Sequence, residues 1–405
     1  MDRIIDFSNC KRAHATFGGS DRKFGVVFDG ETYMLKFSEH HAKKHDVSTS
    51  YVNNAISEYI SSHIAQSAGL PAHETVLGTY NEEIVVGCKD FRGSPSVSNV
   101  EFAEYVRAKY ESSEVGRLVR LDQIYDTLTD PANDIPPELQ KATIQRYWDT
   151  FVIDAFVGNF DRHIGNWGYL SENNRLRLAP IYDFGSTLFP QLSDVGAQEY
   201  LGSEFEMLKR CLVFPSPALV ITEKKVGKVG YYDMLASGYD LNCTEAVLRI
   251  APKIDMKKVD AIIENTPFIT DIRKKFYKAI LKLRQETILT RAYVRCFCHD
   301  YDLDALSRLN NGKQFSEEEL NSFIRDRKQA TIQFQEIEDQ LAYSLTKDYA
   351  VKTTIDHSIP PVNRDALLLH QQTMMEKYGF RSEQVSKRIR CAIANKSKKQ
   401  ELSCR

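Results

Sequence analysis

Short runs of β-branched and aromatic residues fill the first ninety positions, and apolar residues at helical spacing fill most of the remaining chain. Gly25 to Phe37 (GVVFDGETYMLKF) holds two such runs around Asp29-Gly30. This predicts a hairpin, because a two-residue type I′ turn needs positive φ at both central positions. One helix interrupts the strands. Over Tyr51 to Ala68, the residues Ala55, Ile56, Tyr59, Ile60, His63 and Ile64 fall on a single stripe. Gly69 reads as its C-terminal cap, with Pro71 close behind. Glu74 to Lys89 then returns to strand composition.

The character changes after Arg92-Gly93-Ser94-Pro95. Ser98 followed by Glu101 fits a capping box ahead of a helix. Helical patterns then run on, broken at Asp130-Pro131 and Pro136-Pro137. Ile144 to Phe156 predicts a helix with Tyr147, Phe151 and Ala155 inward. Gly158 to Pro190 reads as loop, short strands and loop, with Asn173-Asn174 as a hairpin turn. Helices prevail from about Ala218, the longest being Thr270 to Arg295 and Ser316 to Tyr349. The order predicts an α+β chain with a small β-rich N-lobe over 1–92 and a larger, mostly helical C-lobe over 93–350. A helical extension and polar tail would occupy 351–405.

Composition narrows the setting. The 405 residues exceed one small core and suit packed subdomains. A net charge of −2 supplies no basic field for nucleic acid or an anionic membrane. No run of about 18 apolar residues is present, so no spanning helix is expected. The opening MDRIIDFSNCKRAH lacks the apolar run of a signal peptide. Eight cysteines without framework spacing read as reduced thiols of a cytoplasmic protein.

The candidate chemistry lies in GNFDRHIGNWGYLSENNRLRLAPIYDFGS, from Gly158 to Ser186. Asp161 is followed five positions on by Asn166, and Asp183 opens Asp183-Phe184-Gly185 after the expected hairpin. Alone, Asp-x-x-x-x-Asn is an ordinary loop pattern. In this order, with a hairpin between, the set fits phosphoryl transfer. Asp161 would orient the attacking hydroxyl and take its proton, while Asn166 and Asp183 would offer hard oxygens to Mg2+ beside ATP. Lys36, in YMLKF, and Glu58, 22 residues on, have the order of the lysine–glutamate pair that positions the phosphates. Upstream, Gly18, Gly19, Ser20 and Lys23 could cradle phosphate, although the segment lacks a GxGxxG pattern.

The segments NFDRHIGNWGYL and LAPIYDFGS, with the Gly-Gly-Ser loop and YMLKF, resemble the HipA-like kinases over roughly residues 15–300. The resemblance implies a two-lobed protein-kinase-like fold and an ATP- and Mg2+-dependent serine/threonine kinase. Carried over, Asp161 would be the catalytic base, Asn166 and Asp183 the magnesium ligands, and Lys36 the phosphate contact with Glu58 as its partner. His163 would brace the loop within the nucleotide site. Ser20 would be a site of autophosphorylation. The chain resembles the shorter members, which lack an extra N-terminal subdomain. The partners implied are a protein substrate with a Ser/Thr hydroxyl and, for toxin-type members, an antitoxin-like protein. Two alternatives stay open: a small-molecule or phosphoinositide-type kinase of the same fold, and a nucleotide-binding pseudokinase.

Three further features are given structural readings. Cys296-Phe297-Cys298-His299 has no second Cys/His pair at finger-like spacing, so buried helix cysteines are expected. Trp148 and Trp167, which flank the catalytic segment, read as core or wall residues. Lys396, Lys398 and Lys399 read as a solvated tail.

Overall fold

The computed structural model describes residues 4–13, 22–38, 53–110, 119–220, 229–298, 302, 304–305 and 308–309. Gly18, Gly19 and Ser20, the Ser316 to Tyr349 run, residues 351–405 and the terminal lysines lie outside the described residues.

A six-stranded sheet is built from β1 (Ile5–Asp6), β2 (Lys11–Arg12), β3 (Lys23–Phe28), β4 (Glu31–Phe37), β5 (Thr75–Tyr80) and β6 (Glu83–Lys89), with α1 (Asn54–Ser67) inserted after β4. Its spatial order is β1-β5-β6-β4-β3-β2. The β3–β4 turn is the one expected. Phe28 pairs with Glu31, and both Asp29 and Gly30 have positive φ, +48° and +81°. The β5–β6 turn has the same backbone, with Asn81 and Glu82 at +49° and +68°.

The period of two gives the sheet two faces. Leu35 and Phe37 join Phe7, Val26 and Val85 in a small core on one face. Met34, Lys36, Val86 and Cys88 belong to the other face, toward α1, where Val86 and Cys88 enter the main core. The C-terminal end of α1 also matches the expectation. Gly69 has φ +81° and donates to Gln66 O at 2.9 Å, and Leu70 donates to Ala65 O at 3.1 Å, the paired bonds of a Schellman motif.

The chain after the sheet departs from expectation at the short strands Val119–Arg120 and Leu219–Val220, which stand where the pattern predicts helices, and first of all at Ser98. Ser98 does not cap a helix. Ser98–Glu101 forms β7, which pairs antiparallel with β9 (Gly168–Glu172). The capping box sits three residues later, where Glu101 caps α2 (Phe102–Lys109) and the Glu104 carboxylate accepts from Glu101 N at 3.0 Å. Both registers offer an acidic group at the third helical position. Pairing with β9 satisfies the backbone of 98–101, and that long-range contact decides between them.

Beyond β8 (Val119–Arg120) and α3 (Leu121–Leu128), Pro137 opens the long α4 (Pro137–Val157), with Phe151 and Ala155 buried and Gly158 at φ +70° ending it. The hairpin of β9 and β10 (Arg175–Leu178) turns through Asn173 and Asn174, both at positive φ. Helices α5 (Asp194–Leu201) and α6 (Glu204–Val213) come next. After β11 (Leu219–Val220), paired with β8, come α7 (Tyr231–Ala236), α8 (Leu241–Ile250), α9 (Met256–Asn265), α10 (Asp271–Arg284) and α11 (Arg291–Cys298). The expected Thr270 to Arg295 helix is one helical run, with Thr270 as N-cap and a π-helical turn at Gln285–Thr290 inside it. At its centre the buried Arg284 donates to Ala155 O and Phe156 O at the end of α4 and to Cys211 O in the last turn of α6, serving carbonyls at two helix ends. Trp148 is fully buried and Trp167 stacks on Phe102 at 4.1 Å between ring centroids, as walls rather than platforms. Cys296 is buried in α11.

Candidate active site

Three segments converge where α1 passes between the sheet and the 183–190 segment. Lys36 comes from β4, Glu58 from the middle of α1, and Asp183 from the turn after β10. The Lys36 Nζ lies 3.0 Å from Glu58 Oε2 and 3.1 Å from Asp183 Oδ1. The Glu58 side chain is fully buried, that of Lys36 is 17% exposed and that of Asp183 is 40% exposed, so the group opens outward from Glu58 to Asp183. Burial would pull the Lys36 ammonium down, but the charges of Asp183 and Glu58 outweigh it and hold it well above an ordinary lysine. Desolvation by the surrounding walls would raise the Asp183 carboxyl; the Lys36 charge and hydrogen bond, with Arg162 and His163, bring it below the usual range. Lys23 pairs across the β3–β4 ladder with Lys36, so their side chains share one face of the sheet.

Glu58 also accepts from Phe184 N at 3.0 Å, tying the carboxylate to the residue after Asp183. Asp183 itself has φ +64°, a left-handed backbone that a non-glycine residue adopts at a cost. The turn is held from behind. Thr187 Oγ1 donates to Phe184 O at 2.8 Å and lies 2.6 Å from Ser61 Oγ, while Ser57 Oγ donates to Thr187 O at 2.7 Å. This explains why α1 is buried nearly all round instead of along one stripe. Its second face carries hydroxyls that meet the 183–190 segment.

Asp161 and Asn166 occupy one compact loop after α4. Asn166 Nδ2 donates to Asp161 O at 2.8 Å, which leaves Asn166 Oδ1 as the acceptor end of the amide. His163 Nδ1 accepts from Gly165 N at 3.0 Å, bracing the turn between them. The loop is anchored by Arg162. This buried guanidinium donates to both oxygens of Asp154, at 2.9 and 3.2 Å, to Asn166 O at 3.1 Å and to Tyr182 O. Its carbon also lies 4.7 Å from the Phe184 ring centroid. A single side chain thus links the end of α4, the Asp161 loop and the Asp183 turn. Asn159 adds to the anchor, donating to Asp154 Oδ1 at 2.9 Å and accepting from Asp161 N at 3.0 Å.

The sequence alone assigns no role to Arg162, Asp154, Asn159 or Thr187. Asp154 leaves a trace: a carboxylate one residue before the buried Ala155 in a helix end that is otherwise apolar. The structure brings Lys36, Lys23, Glu58 and Asp183 together on one side, and Asp161, His163 and Asn166 on one loop locked to Asp183 through Arg162.

A lysine–glutamate pair between sheet and helix, an Asp-x-x-x-x-Asn loop, and a helical lobe that carries the loop define a two-lobed, protein-kinase-like phosphotransferase. The chain belongs to the HipA-like serine/threonine kinases. The HipA-like C-terminal domain matches residues 15–214. The sequence is 36% identical to the serine/threonine-protein kinase CtkA of Helicobacter pylori over 324 residues, 77% of this chain and 97% of that protein. The crystal structure of the H. pylori proinflammatory kinase CtkA superposes with a TM-score of 0.68 at 35% identity, covering 74% of this chain and 100% of that one. The Shewanella oneidensis HipA–HipB–operator complex is more distant, with 15% identity and a TM-score of 0.44 over 71% of this chain and 67% of that one. Among the described residues no helix is long and apolar enough to cross a membrane.

Proposed function

We propose that this kinase transfers the γ-phosphoryl group of ATP to a Ser/Thr hydroxyl of a protein, with Asp161 as base, Asn166 and Asp183 as magnesium ligands, and Lys36 on the phosphates. The observation that carries this reading is the bridge from Lys36 to both Glu58, at 3.0 Å, and Asp183, at 3.1 Å. It puts a fixed cation beside the carboxylate best suited to a hard divalent ion. The donor set fits magnesium: the Asp183 carboxylate, 40% exposed, and the acceptor end of the Asn166 amide are both hard oxygens. When bound, magnesium would neutralise charge on the phosphates.

The remaining roles fall to the chain itself. Glu58 holds Lys36 in place and fixes the Asp183 turn through Phe184 N. Asp161 takes the proton of the attacking hydroxyl, with its backbone oriented by Asn159 and Asn166. Arg162 and His163 position the loop without touching substrate. Gly18, Gly19 and Ser20, which precede β3 in sequence, and Lys23 at its first position complete the phosphate contacts, with Ser20 as a target of autophosphorylation. The lobe boundary falls near residue 92, a reading supported by the sheet ending at Lys89 and by β7 already pairing with the catalytic hairpin at β9.

The test is transfer from γ-labelled ATP with magnesium, to the protein itself and to an acceptor panel of proteins, phosphoinositides and sugars. Asp161→Asn and Asp183→Asn run beside it. Label on protein that disappears in both variants supports the reading, and label on phosphoinositide or sugar alone replaces the acceptor class. Nucleotide binding without any transfer replaces catalysis with a binding role. A phosphopeptide map without Ser20 removes the autophosphorylation step.

A further inference from the structure

Behind the Lys36–Glu58 pair, three side chains from three elements meet in the interior: Glu58 of α1, Cys88 of β6, and His73 from the turn before β5. Their ligand atoms all lie within 4.8 Å of one another, and the residues are 0%, 0% and 4% exposed. One polar atom on each of two of these residues, Glu58 Oε1 and His73 Nδ1, has no hydrogen-bond partner among the described residues. Buried polar atoms are nearly always paired, so two orphans on residues of one small cluster need a reason.

The tautomer of His73 is set by its other nitrogen. Nε2 lies 2.7 Å from Lys89 O, a carbonyl that can only accept, so Nε2 carries the proton and Nδ1 presents a lone pair. An imidazole that donates one ring N–H to a backbone carbonyl while its other nitrogen stays open has the outer hydrogen bonding of a metal-binding histidine. The carboxylate oxygen and the thiol complete a mixed O, N and S set.

We propose that Glu58, His73 and Cys88 form a binding site for a borderline-soft divalent cation, zinc being the best fit, and that its occupation opposes the Lys36–Glu58 pair. Mixed carboxylate, imidazole and thiolate ligands select zinc over magnesium or calcium, which want oxygen alone. Three protein ligands leave a fourth position for water. Zinc bonds of the usual lengths require the ligand atoms to approach to roughly 3.6 Å of one another, a movement of about 1 Å at side-chain ends. Binding displaces the thiol proton of Cys88 to solvent, leaving the thiolate as ligand. Lys36 Nζ lies 3.0 Å from the Glu58 carboxylate that would hold the cation, so a dication held here repels its ammonium. The cation also draws on the carboxylate that Lys36 and Phe184 N now share through Oε2. The antagonism, though not the metal site, rests on the roles proposed for Lys36 and Glu58.

The test uses the full-length protein, stripped of metal and titrated with cobalt(II) alone, without nucleotide. The expected result is one equivalent bound with a thiolate-to-cobalt charge-transfer band, bleached by zinc. Cys88→Ser abolishes the band, His73→Gln weakens cobalt binding about tenfold or more, and Cys296→Ser leaves the band intact. No band in the unsubstituted protein, or a band that survives Cys88→Ser, overturns the site. Should Cys88→Ser fail to fold, zinc X-ray absorption on the unsubstituted protein decides. One sulfur with nitrogen and oxygen ligands upholds the site, and none or several sulfurs overturns it. Nucleotide affinity is then measured with and without zinc. A fall of about tenfold supports the antagonism, and an unchanged affinity with the band present overturns that part alone. Because the cobalt band is read without ATP, failure of the phosphotransfer roles and failure of the metal site give different results.

Discussion

Lys36 and Glu58, 22 residues apart in the chain, meet at 3.0 Å with the glutamate fully buried, and the same ammonium reaches Asp183 at 3.1 Å across 147 residues of sequence. Replacing the cation tests this relationship directly. Lys36→Met leaves the buried Glu58 with only the Phe184 N–H, and should cost about 3 kcal/mol of stability in denaturant unfolding. Phosphoryl transfer should fall by roughly 100- to 1,000-fold. Glu58→Gln keeps an acceptor for Phe184 N and should lose less stability than Lys36→Met.

Arg162 anchors the loop from the interior. Its side chain is 6% exposed and that of its partner Asp154 is 1% exposed. Arg162→Lys keeps the charge but loses the planar fork that serves Asp154, Asn166 O and Tyr182 O together. The expected cost is about 3 kcal/mol in unfolding and a drop in kcat of about 100-fold, with KM for ATP changing much less. A larger effect on KM than on kcat would place Arg162 on the nucleotide instead.

Thr187 couples α1 to the Asp183 turn. Thr187→Val keeps the shape but removes the bond to Phe184 O and leaves the Ser61 hydroxyl buried opposite a methyl group. Stability should fall by about 1–3 kcal/mol. Hydrogen exchange at Phe184 and its neighbours should quicken, because their local opening no longer breaks these bonds.

Asp90, at the end of the sheet, makes a pH-dependent contribution. Partial burial raises its carboxyl, but the hydrogen bonds and charge of Arg92 outweigh this and leave it below the usual carboxylate range. A depressed carboxylate contributes stability that is fully present above the unfolded value of about 3.9, and that disappears as pH falls through the folded value. Asp90→Asn should therefore cost about 1 kcal/mol at pH 7, and the difference between variant and parent should close in stronger acid. A difference that persists undiminished at the lowest pH at which both fold would show that packing, not charge, is at work.

Much of the local architecture is legible in the chain. Asp29-Gly30 and Asn173-Asn174 announce their turns because few residues accept positive φ, and both turns form as expected. Gly69 ends α1 for the same reason. The box expected at Ser98 forms three residues later because acidic residues stand at both 101 and 104, and only pairing with β9 selects between them. Arg162 carries no local signal of its role, since its partners lie on α4, on its own loop and beyond the hairpin.

The sequence by itself determined the order of the elements, the turns, and the presence of Asp161, Asn166, Asp183, Lys36 and Glu58 in a sequence order suited to phosphoryl transfer. These arise from short-range sterics and side-chain chemistry, which neighbouring residues reveal. The tertiary structure decided which groups share a proton, a charge or a carbonyl: Glu58 between Lys36 and Phe184 N, Arg162 among three segments, and Glu58 beside His73 and Cys88. Such partnerships depend on burial and on distances between elements far apart in the chain, and those are set only when the sheet, α1 and the Asp161 loop pack together.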